Sequence, residues 1–135
     1  MINNKIKDSI NKSVVRIFSE IISVNPLIPF NNLQPTRSQG TGFFFNNDGY
    51  ILTCSHVVEN SINIIIDIPN ISTEKIKCEL IYIVPEFDIA LIKTINYKND
   101  YYVELGDSED IKISDNVFAV GFPKSINRSG SNNIK

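Results

Sequence analysis

Short apolar segments separated by turn residues are the feature that most constrains the fold of this chain. Thr41–Phe45 and Tyr50–Thr53 are both rich in strand-forming residues, and Asn46-Asn47-Asp48-Gly49 lies between them. An Asp-Gly pair supplies the positive backbone angle that a tight turn requires. The two segments are therefore predicted to pair as a β-hairpin, which directs the chain toward antiparallel sheet.

Other segments rich in β-branched and aromatic residues are predicted to form further strands. They are Ser13–Ser19, Ile62–Ile68, Ile76–Val84, Asp88–Lys93 and Val117–Phe122. Alternate residues of the second and third are apolar, so their apolar side chains share one face. Ser23–Gly40 contains three prolines and several polar residues, and is predicted as a long loop. This spacing of strands and turns predicts an all-β fold, a closed or nearly closed antiparallel β-barrel.

Length and composition exclude several functional classes. At 135 residues, with 42% hydrophobic and 21% charged residues, the chain suits one soluble globular domain. A net charge of -2 leaves no excess of cations for nucleic-acid binding. Ile62–Ile68 is the densest apolar run, but Asn63 and Asp67 interrupt it and it is far below the roughly 20 residues that span a bilayer.

The cysteines and the amino-terminal residues favour a cytosolic setting. Met1–Asp8 carries positive charge without a following uninterrupted apolar segment, so no secretory signal is predicted. Without export, Cys54 and Cys78 are expected to be reduced and buried rather than joined in a disulfide.

Two polar residues lie in unexpected places. His56, the only histidine, comes where the strand ending near Cys54 breaks into a turn. Asp88 lies between Phe87 and Ile89, where an unpaired carboxylate next to a core is costly and requires a partner. Two interpretations remain open at this point. Asp88 accepts hydrogen bonds from backbone amides, or it accepts one from a ring nitrogen of His56 and so fixes the tautomer of a general base.

Six segments together resemble, in the same order, the amino-terminal half of HtrA-like (DegP-like) trypsin-fold serine proteases. They are Gly40-Thr41-Gly42-Phe43, Asp48-Gly49-Tyr50-Ile51-Leu52-Thr53, Ser55-His56-Val57-Val58, Asp88-Ile89-Ala90-Leu91, Leu105-Gly106-Asp107-Ser108 and Val120-Gly121-Phe122-Pro123. The resemblance implies a trypsin-like (chymotrypsin) fold, with its active site between two barrels. It also implies that His56 is the catalytic base and that Asp88 orients it.

The same resemblance suggests how the chain is organised. Residues 1–12 are expected to be an amino-terminal extension, and residues 13–95 the first barrel. Residues 96–135 are expected to hold the inter-barrel connection, the opening strand of the second barrel and a flexible tail. The loop Ser23–Gly40 falls where the family carries a variable loop, one that in some members regulates the active site.

The nucleophile implied by the resemblance is not among these residues. The family's Gly-x-Ser-Gly-Gly segment is expected well beyond Pro123, and Asn127–Ser131 lacks its second glycine. The resemblance thus implies a serine endopeptidase acting on polypeptides, with the 135-residue chain inactive by itself. A separately encoded second barrel is one possible partner. A protease-like module that binds a protein partner without catalysis, and a relic fragment, are the alternatives.

The residue types allow two other kinds of site, a metal site and a cysteine nucleophile. Cys54, His56 and Cys78 contain metal-ligating types, but one Cys-x-His with a distant cysteine lacks the doubled spacing of zinc sites. Cys54 as a nucleophile beside His56 requires the chain to fold back, and a small buried hydrophobe is the simpler interpretation. The sequence therefore predicts no metal and no cofactor.

Overall fold

The described part of the chain is a closed antiparallel barrel. A computed structural model describes residues 3–22 and 35–123. Within these ranges the elements are α1 (Asn4–Ser13), β1 (Val14–Ile22), β2 (Pro35–Phe44), β3 (Tyr50–Thr53), α2 (Ser55–Val58), β4 (Ser61–Ile68), β5 (Ser72–Val84) and β6 (Ile89–Thr94). Single-turn 3₁₀ helices lie at Pro85–Phe87 and Ser108–Asp110. The strand order is β1-β2-β3-β6-β5-β4, and pairing of β4 with β1 closes the barrel. The predicted all-β barrel is confirmed.

The barrel interior is filled by branched aliphatic side chains and one phenylalanine. Alternation along each strand sends every second side chain inward. The fully buried hydrophobic residues are Val15, Ile17, Phe44, Ile51, Val58, Ile66 and Ile92. Of the isoleucines predicted to share a face of β4, Ile62 alone is exposed, because it lies at the strand's beginning.

The predicted alternation of β5 fails beyond Cys78. The pairing with β6 shifts register between Leu80 and Tyr82, and both of these side chains are exposed. A bulge of this kind inserts an extra residue and re-aims the side chains that follow. Sequence alternation cannot reveal where such a shift occurs.

The β2–β3 hairpin forms as predicted, with Phe43 opposite Leu52. Gly49 has a φ of 83°, and a Cβ at this position would collide with the hydroxyl of Thr94. The buried Asn99 side chain fastens the turn: its Oδ1 accepts from the Gly49 N–H at 2.8 Å, and its Nδ2 donates to the Asn46 carbonyl at 2.7 Å.

Part of the predicted amino-terminal extension is helical, and part of the predicted loop Ser23–Gly40 is strand. Most of the predicted extension is helix α1, whose first turn is capped by the Asn3 side chain accepting from the Lys5 N–H. Residues 35–40, predicted as loop, belong to β2 and pair with β1, from Ile17 opposite Gly40 to Ile22 opposite Pro35. Ladder hydrogen bonds join backbones, so this polar stretch pairs without apolar side chains. The rest of the predicted loop, residues 23–34, lies outside the described residues.

The chain after β6 runs along the barrel without joining its sheet. Val117–Phe122 was predicted as a strand, but within the described ranges no strand pairs with it. Strand propensity alone cannot form a ladder. The segment is fastened through Thr41, whose Oγ1 accepts from the Phe122 N–H at 2.8 Å, and the side chains of Val117 and Phe118 are exposed.

In the described ranges, no helix has the length and apolar character that crossing a bilayer requires.

Candidate active site

Antiparallel pairing brings His56 and Asp88 to the same end of the barrel. Strands β3 and β6 are neighbours, with Thr53 opposite Ala90. The residues that follow the end of β3 therefore meet those that precede the start of β6. His56 is the second residue of α2, which begins after a single intervening residue, Cys54, at the end of β3. Asp88 precedes β6 and has a left-handed backbone with a φ of 54°.

The carboxylate of Asp88 is held by three donors from α2. His56 Nδ1 lies 2.7 Å from Asp88 Oδ2. The other oxygen, Oδ1, accepts from the His56 backbone N–H at 2.9 Å and from the Ser55 hydroxyl at 3.0 Å. The His56 backbone N–H, then its ring, lower the pKa of Asp88 by favouring the charged form. The backbone partner and the ring partner anticipated as alternatives are thus both present.

The surroundings of Asp88 are more open than the sequence suggested. Its side chain is 46% exposed and that of His56 is 69% exposed. The neighbours Phe87 and Ile89, expected to belong to a core, are also exposed. The expectation that Asp88 lies next to a core is therefore wrong, because the 3₁₀ helix before it carries Phe87 outward.

Ser55 is a site residue that the sequence analysis did not single out. It is buried, and its hydroxyl donates to Asp88 while the next residue supplies the ring. On the other side of α2, the buried Ser19 hydroxyl donates to the Val57 carbonyl at 2.6 Å. The short helix that carries His56 is thus fixed by a hydroxyl at each side. A serine directly before the histidine was the available signal for Ser55.

The two cysteines are unpaired and have different surroundings. Cys78 is buried in the barrel core, and burial raises its pKa to about 12. Cys54 was expected to be buried but is exposed, because it follows the last residue of β3 and precedes α2. Partial desolvation and the negative charge of Asp88 raise the pKa of the Cys54 thiol. A raised pKa disfavours the thiolate, so Cys54 is poorly suited to act as a nucleophile.

The structure brings together a different set of metal-ligating residues from Cys54, His56 and Cys78, the set offered by the sequence. Ligand atoms of Cys54, His56 and Asp88 all lie within 4.8 Å of one another. Cys78 is not part of that group, since it points into the barrel core. The carboxylate of Asp88 takes the place that the sequence analysis gave to Cys78.

The structure thus combines a closed antiparallel barrel with a histidine and an aspartate that contact each other at one end of it. A family model described as "Trypsin-like peptidase domain" matches residues 40–134. The chain belongs to this family.

Curated relatives define the branch of the family more closely. The chain is 37% identical over 98 residues to a probable periplasmic serine endoprotease DegP-like of Pseudomonas putida strain F1, a match that covers 73% of this chain and 20% of the relative. It is 36% identical to the protein of that description in Halomonas elongata, with the same coverage. In Ectopseudomonas mendocina the match is 33% identical over 112 residues, and covers 83% of this chain and 23% of the relative. The resemblance to HtrA-like (DegP-like) proteases is confirmed, and the chain spans about a fifth of the length of these relatives.

Solved structures give the same fold. The chain superposes on an HtrA-type protease with a decapeptide with a TM-score of 0.64 and 23% identity, covering 81% of this chain and 38% of the other. A second structure, of an HtrA-type protease with a tripeptide, gives a TM-score of 0.60 and 22% identity, covering 78% of this chain and 31% of the other. At this identity the match shows the trypsin-like fold alone.

The expectation of a cytosolic setting is wrong. The curated relatives of Pseudomonas putida and Halomonas elongata are named periplasmic endoproteases. The expectation rested on the lack of an export signal in these residues. Because they span only about a fifth of the relatives' length, that lack carries no information about the compartment.

Proposed function

We propose that this chain supplies the general base and its orienting carboxylate to a serine endopeptidase active site. The observation that carries the proposal is the 2.7 Å distance between His56 Nδ1 and Asp88 Oδ2. With its Nδ1–H donated to Asp88, the neutral ring keeps its lone pair on Nε2. That nitrogen then takes the proton of a serine hydroxyl as the hydroxyl attacks a peptide carbonyl.

The hydrogen bonds around Asp88 suit it to this role. Its Oδ1 is occupied by the His56 backbone N–H and the Ser55 hydroxyl, which leaves Oδ2 directed at the ring. The lowered pKa of Asp88 keeps the carboxylate charged at neutral pH. A fixed negative charge at Nδ1 stabilises the imidazolium that forms when Nε2 takes a proton.

The serine and the oxyanion hole are proposed to come from a second barrel. The 135 residues contain no Gly-x-Ser-Gly-Gly segment. Loss of a triad member leaves a residual acceleration of about 10³- to 10⁴-fold that depends on the oxyanion hole and on substrate binding. The 135-residue chain by itself is therefore predicted to be inactive. Polypeptide is the proposed substrate class, because the curated relatives are named endoproteases and the solved neighbours hold peptides.

A fused chain tests the proposal. Residues 1–123 are joined to the second barrel of the DegP-like relative from Pseudomonas putida, and the product is treated with a fluorophosphonate probe. We expect labelling of the fused chain and none of the 135-residue chain. His56→Ala should abolish labelling. Asp88→Asn should slow it by about 10⁴-fold, because the ring then adopts the wrong tautomer.

Glu59→Gln is the matched control for these substitutions, because Glu59 is an exposed acid directly after α2. It should label at the parent rate. A fused chain that labels equally well with His56→Ala would refute the assignment of the base. Labelling of Ser129 or Ser131 in the 135-residue chain would refute its inactivity.

A binding module without catalysis is the second candidate. The observation that favours it is the apolar surface beyond the barrel, where Ile111, Ile113, Val117 and Phe118 are all exposed. Between α1, β2 and residues 116–121 lies a groove of about 920 Å³. Large exposed apolar patches commonly mark interaction sites. Under this alternative, the 135-residue chain binds peptides from a random library and His56→Ala binds them equally.

A further inference from the structure

Three different donor atoms converge where β3 ends and β6 begins. The Sγ of Cys54, a ring nitrogen of His56 and a carboxylate oxygen of Asp88 lie within 4.8 Å of one another, and all three side chains reach solvent. No other group of three such ligands was found in the parts of the chain that the structure describes. Thiolate, imidazole and carboxylate are the ligands that zinc uses in proteins.

The spacing suits a small tetrahedral ion. Bonds of about 2.0 to 2.3 Å place neighbouring ligand atoms roughly 3.3 to 3.5 Å apart. His56 Nδ1 and Asp88 Oδ2 are now 2.7 Å apart, so an ion between them requires a modest separation of the two side chains. The thiol of Cys54 has to move closer. Both motions can be side-chain rotations, since His56 lies in α2, Cys54 directly follows β3 and Asp88 directly precedes β6.

The surrounding contacts hold Asp88 ready to act as a ligand. Its Oδ1 is fixed by the buried Ser55 hydroxyl and the His56 backbone N–H, while Oδ2 faces the ring. Hydrogen bonds of this kind orient a ligating carboxylate and raise metal affinity. The other carboxylate in an apolar segment, Asp67, is already neutralised by Arg16 and Lys75 and offers no competing site.

We propose that Cys54, His56 and Asp88 bind a divalent transition-metal ion, Zn²⁺ being the best match, with water completing the coordination. On binding, the positive charge of the ion stabilises the thiolate against the neighbouring Asp88 charge, and Cys54 releases its thiol proton to solvent. Nδ1 of His56 gives up its hydrogen and coordinates the ion, and the neutral ring then carries its hydrogen on Nε2. No bond other than these to hydrogen is broken and no electron is transferred.

Metal binding would prevent His56 from acting as a general base. A ring with hydrogen on Nε2 has no lone pair there to accept a serine proton. This consequence rests on the proposed function, but the binding itself does not. The site would thus be a reversible inhibitory switch, and Cys54 is the residue that distinguishes it from a plain His–Asp pair.

Titration of the 135-residue protein with Co²⁺ tests the site directly. A thiolate bound to Co²⁺ gives a sulfur-to-metal charge-transfer absorption, and we expect it to saturate at one equivalent and to disappear on addition of Zn²⁺. Cys54→Ser should remove the absorption. Asp88→Asn should weaken affinity by at least the roughly 10- to 100-fold that loss of a ligand's supporting contact costs.

Cys78→Ala is the matched control, because Cys78 is the other thiol and lies in the core. It should keep the absorption. A measurement on the unaltered protein does not depend on the folding of any variant. Zn²⁺ should protect Cys54 from alkylation by iodoacetamide, as mapped by mass spectrometry. Absence of the absorption in the parent protein, its retention in Cys54→Ser, or alkylation of Cys54 at an unchanged rate would each overturn the proposal.

The outcomes separate this inference from the proposed function. The His56–Asp88 pairing is read in metal-free protein from the ring tautomer. Loss of metal binding with the tautomer intact removes only the metal site. Metal binding with the wrong tautomer in the free protein removes the catalytic assignment and leaves the metal site standing.

Discussion

Asp67 and Asp88 are two carboxylates in apolar stretches of sequence, and they differ in burial and in the groups that donate hydrogen bonds to them. The Asp67 side chain is 3% exposed and accepts from Arg16 Nη2 at 2.7 Å, Arg16 Nε at 3.1 Å and Lys75 Nζ at 3.0 Å. The Asp88 side chain is 46% exposed and accepts from a histidine ring, a backbone N–H and a hydroxyl. Asp67 lies within β4 in the barrel wall, opposite Arg16 of β1, and Asp88 lies at the rim.

The difference is that Asp67 stabilises the barrel wall, whereas Asp88 has the proposed role of orienting a general base. Burial alone would raise the pKa of Asp67, but hydrogen bonds from Arg16 and Lys75, with their positive charges, outweigh it and leave the pKa lowered. Its two partners, a guanidinium and an ammonium, only donate hydrogen bonds and have no lone pair with which to act as a base. The ring beside Asp88 carries a nitrogen lone pair that can accept a proton, which the proposed function requires.

Removal of each carboxylate should give the largest contrast. We expect Asp67→Ala to lower the free energy of unfolding by about 3 kcal/mol, because it leaves the partly buried Arg16 guanidinium without its partner. Asp88→Ala should cost less, because its side chain is 46% exposed and water can replace part of the lost hydrogen bonding. Urea denaturation followed by circular dichroism measures both. Equal losses in the two variants would mean that Asp88 is also structural.

Acid should destabilise the barrel through Asp67. A folded-state pKa below the unfolded value contributes stability that is complete above the unfolded value, about 4, and is lost as pH falls through the folded value. Stability of the parent should therefore decline below about pH 5. In Asp67→Asn this contribution is absent at every pH, so the decline should be shallower. Thermal unfolding as a function of pH tests this, and parallel curves would contradict it.

The smallest expected effect concerns the support of Asp88. Ser55→Ala removes one hydrogen bond to the charged carboxylate, so the pKa of Asp88 should rise toward its ordinary value. Carboxyl ¹³C titration measures the change. Ser19→Ala is the matched control, because that buried hydroxyl contacts α2 at Val57 and not at Asp88. An equal rise in the pKa of Asp88 in both variants would show that the change reflects the stability of α2 and not the hydrogen bond from Ser55.

Local sequence patterns were enough to predict the barrel, but they gave the wrong surroundings for the two carboxylates. The Asp48-Gly49 turn and the alternating segments depend on neighbours in sequence, and the structure confirms the hairpin and barrel. Asp88 stands out in the sequence because its neighbours are apolar, which predicts a site next to a core, yet Phe87 and Ile89 are exposed. Asp67, which is buried, looked like a simple interruption of an apolar run.

The missed features depend on contacts between distant residues. Asp67 is neutralised by Arg16, which faces it across the β1–β4 pairing. The Val117–Phe122 segment has strand propensity, but no described strand pairs with it. Exposure of Cys54 depends on where β3 ends rather than on the residue type. The residues alone left the pairing of His56 with Asp88 as one of two interpretations, because the two are 32 residues apart, and the family resemblance favoured it.

The tautomer of the single histidine tests the central claim most directly. Ring ¹⁵N–¹H correlation spectra of the metal-free protein show which ring nitrogen of the neutral imidazole carries the hydrogen. We predict hydrogen on Nδ1 in the parent, because Nδ1 donates to Asp88 Oδ2. In Asp88→Asn the hydrogen should move to Nε2, and Glu59→Gln should match the parent. Hydrogen on Nε2 in the parent, or the same tautomer in parent and Asp88→Asn, would contradict the assignment of Asp88 as the residue that orients the base.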